Sequence, residues 1–306
     1  MTSREIDIGL REAGVRSPAA AIPWRSVLGH RRHKRITRSV PLALLFATAL
    51  GVAMAVPFAY GLLAAMMSPA DVMARSPSYW PLYPGNFLRV FQTQPFGLFL
   101  LNSLVIALTT TAGTMATAVL GAYAFGRMAF RGRDALFGFV VGAVMIPDLI
   151  GVIPNYLFMA HLGLLPGYCA AILPTLASGF ATFFLRQHIR AIPREYEEAA
   201  RIDGASRLKI LFDVIVPLSR PAIASMALFV FLKEWNAYLW PLIVLEGDQR
   251  TVQIGLANLQ HYAREQPLTD WPLILAASMV VLVPSFIAFV VAEKQLVRGV
   301  GLSGIK

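Results

Sequence analysis

The run Val40–Met67 contains no charged side chain, and five comparable stretches follow it: Phe96–Phe125, Ala135–Phe158, Leu162–Leu185, Ala222–Leu245 and Trp271–Ala292. Each covers the roughly 20 residues that a helix needs to cross a bilayer. The fourth also reads as starting nearer Tyr168. The expected fold class is therefore an all-α polytopic membrane protein with six transmembrane helices. Composition agrees, because only 14% of the residues are charged against about 25% in soluble domains.

Lys and Arg set the orientation. With the N-terminus in the cytoplasm, the inner segments 1–38, 126–134, 186–220 and 293–306 hold 22 Lys and Arg, whereas the outer segments 68–95, 159–161 and 246–270 hold 4. The expectation is N-in and C-in. The net charge of +10 is then a topology signal rather than a nucleic-acid footprint. Residues 1–38, with the run Arg31-Arg32-His33-Lys34-Arg35, read as a flexible basic cytoplasmic tail. The block that follows is too long for a signal-peptide core, which argues against cleavage. The outer segment 68–95 is rich in Pro and aromatics (Pro77, Tyr79, Trp80, Pro81, Tyr83, Pro84). It suits an interfacial anchor, or a docking surface for an external partner.

The inner segment Arg186–Arg220 is a polar island holding twelve of the forty-four charged residues. Pro193 stands near the start of a short helix, followed by Glu195, Glu197 and Glu198, where the helix dipole favours negative charge. Ala199 and Ala200 are small enough to let another surface approach. Gly204 can end this helix in a left-handed cap, and Ser206 can cap the next one. In that second helix Leu208, Leu211, Phe212 and Ile215 form one apolar stripe. Lys209 and Asp213 pair at i,i+4. Pro217 and Pro221 stop or bend the chain before span five. An amphipathic helix lying on the membrane is the competing reading, but the first helix is acidic and the inner leaflet is negative.

Glu198-Ala199-Ala200, three residues, Gly204, nine residues, Val214, one residue and Val216-Pro217 resemble the EAA signature of ABC-importer permease subunits, with Val in place of Ile and of Leu. The flanking Glu198-Ala199-Ala200-Arg201-Ile202-Asp203-Gly204-Ala205-Ser206 resembles the carbohydrate branch. So do Asn102-Ser103, Ala122-Tyr123-Ala124-Phe125 with Arg127, Leu162-Gly163-Leu164-Leu165, Glu234-Trp235-Asn236 with Tyr238-Leu239-Trp240-Pro241-Leu242, and Val297-Arg298-Gly299-Val300 leading to Gly304-Ile305-Lys306. The resemblance covers residues 40–306 and implies a permease domain over residues 39–306, with its EAA loop at 186–220. It implies a coupling helix in that loop that docks on a cytoplasmic ATPase, with Glu198, Ala199, Ala200, Asp203 and Gly204 as the coupling residues. It further implies two ATPase copies, a second permease subunit, an external substrate-binding protein and a bacterial inner-membrane location. ATP and Mg would be bound by the ATPase. This chain has no G-x-x-x-x-G-K-[ST] and is expected to be no enzyme and to hold no cofactor. The solute implied is a carbohydrate. Glycerol 3-phosphate or a glycerophosphodiester is the alternative, because the Glu234–Leu242 stretch also resembles glycerol-phosphate permeases.

Polar residues within spans point to a translocation path by default. The candidates are Asp148, Asn155, Glu234, Asn236 and Tyr238. Asp148 lies thirteen residues into span three, about 20 Å along it. It suits either the path or a solvated end beside Pro147. Asn155 reads most simply as interfacial. Trp240 suits the aromatic belt at the membrane surface. Two other function classes fit the sequence less well. A membrane-embedded enzyme using Asp148, Glu234 and His161 lacks any His-Glu-x-x-His, Gly-x-Ser-x-Gly or cysteine motif. A channel has no need of a structured acidic helix pair in the cytoplasm.

Overall fold

The computed structural model describes residues 39–74, 82–265 and 269–303, which are helical with no strand among them. The basic tail 1–38, the aromatic stretch Pro77–Pro81 and the end Gly304–Lys306 lie outside the described residues. The chain divides into two units, Met1–Pro57 and Phe58–Lys306.

The first unit ends within α1 (Ser39–Ala65). From Leu44 to Tyr60 every side chain of α1 is exposed. A helix that is apolar all round and unburied needs lipid about it.

The second unit continues through α2 (Pro69–Met73), α3 (Gly85–Thr93), α4 (Phe96–Arg127), α5 (Arg133–Val144), α6 (Val152–His161), α7 (Tyr168–Ile172), α8 (Gly179–Ala191), α9 (Glu195–Ile202), α10 (Arg207–Leu218), α11 (Arg220–Trp235), α12 (Leu239–Val244), α13 (Val252–Glu265) and α14 (Trp271–Ser303). Helix α4 runs unbroken for 32 residues and enters all three buried cores. Met115, Ala118 and Ala122 pack with Leu185, Ile189, Ile210, Leu211 and Met226. Phe96 and Phe99 pack with Trp235, Leu259 and Leu273. Ile106 packs with Ala170 and Val244.

Among the described residues, three helices are long and apolar enough to cross a membrane as single pieces: α1, α4 and α14. Three bent pairs could each make one more crossing. These breaks correct the simple spans expected from hydropathy. Ala135–Phe158 is broken by 95° between α5 and the turn opening at Asp148, because Pro147 lacks an N–H and forces its predecessor out of the helical region. Leu162–Leu185 starts at Tyr168 and bends by 41° after Thr175. The carbonyls freed there are satisfied from α4, since Thr114 Oγ1 donates to Thr175 O at 3.0 Å and Thr117 Oγ1 to Leu176 O at 2.6 Å. Backbone groups inside a membrane need such partners. Ala222–Leu245 is not one helix: α11 stops at Trp235 and α12 is separate. Its Trp240 turns inward and donates to Ala170 O at 3.1 Å instead of joining a surface belt.

Segments 68–95 and 246–270 carry helices that composition did not announce. Buried Asp270 caps α14 through Leu273 N and pairs with Arg89 of α3 at 2.7 Å. The segment before α13 is stapled to α4, where Asn102 Nδ2 donates to Asp248 O (2.6 Å) and Arg250 O (2.9 Å). Asn102 Oδ1 accepts from the Tyr168 hydroxyl (2.8 Å), and Val252 N donates to Ser103 Oγ (2.8 Å). Asn102→Ala orphans two carbonyls and a hydroxyl. It is expected to destabilise the fold by about 1–3 kcal/mol, visible as a lower unfolding midpoint of the detergent-purified protein.

Candidate coupling surface and translocation path

Helix α9 is eight residues long, too short to hold itself in water. Its far end is closed by a Schellman motif: Ala205 N donates to Ala200 O (2.9 Å) and Gly204 N to Arg201 O (3.0 Å). Gly204 takes φ +78°, the left-handed region where a β-carbon costs about 1–2 kcal/mol. The inward side is Glu197 with Ala200, one turn apart. Glu197 is buried against Arg127, the last residue of α4, with Nε–Oε1 at 2.9 Å and both side chains no more than 5% exposed. The contact is a close ion pair rather than an aligned hydrogen bond. Arg201 approaches the other Glu197 oxygen at 3.6 Å. The same Arg127 guanidinium donates to Ile189 O at 2.6 Å and to Ile192 O. One cation therefore joins the end of α4, the end of α8 and the base of α9. Alongside, buried Arg186 donates to Phe125 O at 3.1 Å and lies 3.8 Å over the Phe137 ring.

The outward side holds Glu198, Ala199 and Asp203, all exposed, beside Tyr196 and Ile202. Ile202 is 87% exposed, and Leu208 (62%) and Phe212 (57%) extend the same apolar surface onto α10. Exposed apolar groups rimmed by charge mark an interaction face, for a protein or a membrane. Pro193 precedes the helix by two residues rather than lying in its first turn. Ser206 caps α10 as expected, accepting from Lys209 N at 3.4 Å. The single apolar stripe does not form: Ile210, Leu211 and Ile215 are buried while Leu208 and Phe212 face out. The cause is a π turn over Leu211–Ile215, which widens the helix and shifts its i+4 relations. The Lys209–Asp213 pair is likewise not made among the described residues. As expected of Pro217 and Pro221, the chain bends by 80° between α10 and α11.

Of the path candidates, the structure brings together Asp148, at the break after α5, and the end of α11. Lys233 Nζ is 2.9 Å from Asp148 Oδ2, with both side chains largely exposed. Glu234 is the next residue and half-buried; Asn236 caps α11 and is exposed, its Oδ1 accepting from Gln253 Nε2 at 3.4 Å. Tyr238 is exposed just beyond. Asn155 lies on α6 and is exposed. His161 ends α6, thirteen residues or about 20 Å of helix from Asp148, so no Asp148–Glu234–His161 constellation forms.

The family described as binding-protein-dependent transport system inner membrane component matches residues 35–295. This chain belongs to that family. Among its relatives are sn-glycerol-3-phosphate transport system permease proteins. The one from Pectobacterium atrosepticum is 35% identical over 208 residues, covering 68% of this chain and 73% of the relative. The one from Yersinia pestis is 34% identical over 206 residues, covering 67% and 73%. Two solved structures share the fold. A bacterial ABC transporter involved in import of the acidic polysaccharide alginate superposes with TM-score 0.70 at 24% identity, over 86% of this chain and 97% of that one. A bacterial alginate ABC transporter in complex with an alginate pentasaccharide-bound periplasmic protein gives TM-score 0.59 at 16% identity, over 85% and 96%.

The permease thus has two residues at the base of α9 that sequence reasoning did not assign a role, Glu197 and Arg127. A signal existed: Glu197 is the one glutamate of the three with Ala200 at i+3 and Arg201 at i+4, which places it on the buried side. Lys233 was likewise left out of the path, although the six apolar stretches contain only three charged residues, Asp148, Lys233 and Glu234.

Proposed function

We propose that this permease is the transmembrane subunit of an ATP-driven importer and that it works through α9. It crosses the membrane six times with both termini in the cytoplasm. The division of α9 into a pinned inward side and an exposed outward side carries this reading. Of the residues expected to couple, Glu198, Ala199, Asp203 and Gly204 would form the docking surface for a cytoplasmic ATPase subunit, which binds ATP and Mg, while Ala200 packs on the inward side of α9. Two such subunits, a second permease and an external substrate-binding protein complete the assembly. The path runs past Asp148, Glu234, Asn236 and Tyr238, with Asn155 towards its edge. Residues 1–38 are a cytoplasmic tail outside the permease domain.

The solute is a carbohydrate or a glycerol phosphate. The second is favoured by the relatives that carry the glycerol-phosphate name at 34–35% identity. The test is ATP hydrolysis by the purified assembly in lipid, with the binding protein present and a panel of neutral sugars, polyols and glycerol phosphates. Stimulation by one member is expected, together with uptake into proteoliposomes that stops without ATP. Flux through this chain alone would point instead to a channel, and hydrolysis of a solute by it alone to an enzyme.

A further inference from the structure

The three charged residues of the apolar stretches come from two separate segments, yet they meet. Asp148 lies fifteen residues beyond Arg133 and Lys233 thirteen beyond Arg220, each inside an apolar stretch long enough to cross a membrane. Lipid does not accept an exposed ion pair within such a stretch, so the pair faces water or another subunit. Both partners sit at helix discontinuities, which is where membrane transporters build solute sites. Asp148 opens the turn after the 95° break, and Lys233 lies three residues before the loop that follows α11. Glu234 is turned about 100° from Lys233 and is the more buried of the two.

We infer that Lys233 is the solute-recognising cation of this permease and that Asp148 occupies it when no solute is bound. The solute class is an anion, a phosphate or carboxylate ester or salt. Lys233 offers three donors, of which the structure uses one, to Asp148 at 2.9 Å. An exposed pair of this kind adds little net stability, so an anionic oxygen can take the place of the Asp148 carboxylate without disrupting the fold. Asp148, 85% exposed on a short turn behind Pro147, is free to move aside. The two remaining acids then disfavour rather than invite a second anion.

This inference rests on the permease reading, and one experiment separates the two. Uptake into proteoliposomes by the complete assembly with its binding protein is measured with sn-glycerol 3-phosphate and with maltose as probes. K233Q is expected to raise KM for sn-glycerol 3-phosphate by about tenfold or more, the worth of a charge-assisted hydrogen bond. K233R is expected to restore most of the loss, and D148N to lower KM. The swapped pair D148K/K233D distinguishes recognition from a structural bridge. Recovery of wild-type KM in the swap, or an unchanged KM in K233Q, overturns the assignment. Wild-type uptake of maltose with none of sn-glycerol 3-phosphate overturns it too, while leaving the permease reading intact. ATP-independent flux, or no ATP-driven uptake of any solute on the panel, sinks both.

Discussion

Replacing Arg127 by alanine is expected to abolish import and to loosen the junction of α4, α8 and α9 together. The substitution leaves Glu197 buried with only the exposed Arg201 within reach, 3.6 Å away. It also strips a donor from the carbonyls of Ile189 and Ile192. Removing one partner of a buried pair destabilises by about 3–5 kcal/mol. Most of that strain falls on α9, in which Glu197 is the one buried residue and Ala200 is only partly buried. Arg127→Lys is expected to recover little, because an ammonium cannot reach three acceptors in the fork that a guanidinium spans. The double variant R127M/E197L removes both charges and should unfold at a higher temperature than R127A. A double variant no more stable than the single one would show that the uncompensated carboxylate is not the source of the damage. Unfolding midpoints, limited proteolysis between residues 192 and 207 and ATP-driven uptake are the measurements.

The second large effect belongs to the outward side. Gly204→Leu and Glu198→Lys should each reduce import tenfold or more while the protein inserts and folds. A β-carbon at Gly204 meets no atom within 4 Å, so within this chain the substitution meets only the left-handed backbone penalty of about 1–2 kcal/mol. Anything larger must come from the surface that docks there. Gly204→Ala carries the same backbone penalty with little bulk and separates the two. Import near wild type in G204A with loss in G204L locates the clash in the partner. Equal loss in both makes it a defect of the helix cap. For E198K, ATP hydrolysis should persist without uptake, and normal uptake in both E198K and G204L would remove α9 from the coupling role.

Apolar runs and the charge bias made the helical class legible, and the EAA spacing located the loop. What pattern could not supply was partnership across distance. Glu195, Glu197 and Glu198 are chemically alike, and only Arg127, seventy residues earlier, separates the buried one from the exposed ones. Asp148 and Lys233 were each visible as a costly charge in an apolar run, but their meeting depends on two breaks. Pro147 announces the first; the second lies in ordinary residues after Trp235. The π turn at Leu211–Ile215 was invisible because its residues fit an α-helical stripe. Hydropathy merged the three broken spans into single blocks because it averages over the three or four residues where a helix changes direction.

Asn102 and Arg127 lie on the same unbroken helix, 25 residues apart, or about 38 Å along its axis. One holds the segment before α13 and the other holds α9. No hinge interrupts α4 between them, so it acts as a lever arm. A tilt of about 10° pivoting near Asn102 carries the Arg127 end through roughly 6–7 Å, taking the helical rise as 1.5 Å per residue. Motion imposed on α9 therefore reaches the Asn102 end as rotation of a rigid beam, without a relay of side chains. Its weak point is mechanical: a kink-forming residue in the middle of α4, such as proline at Ala112, would absorb the rotation before it arrived.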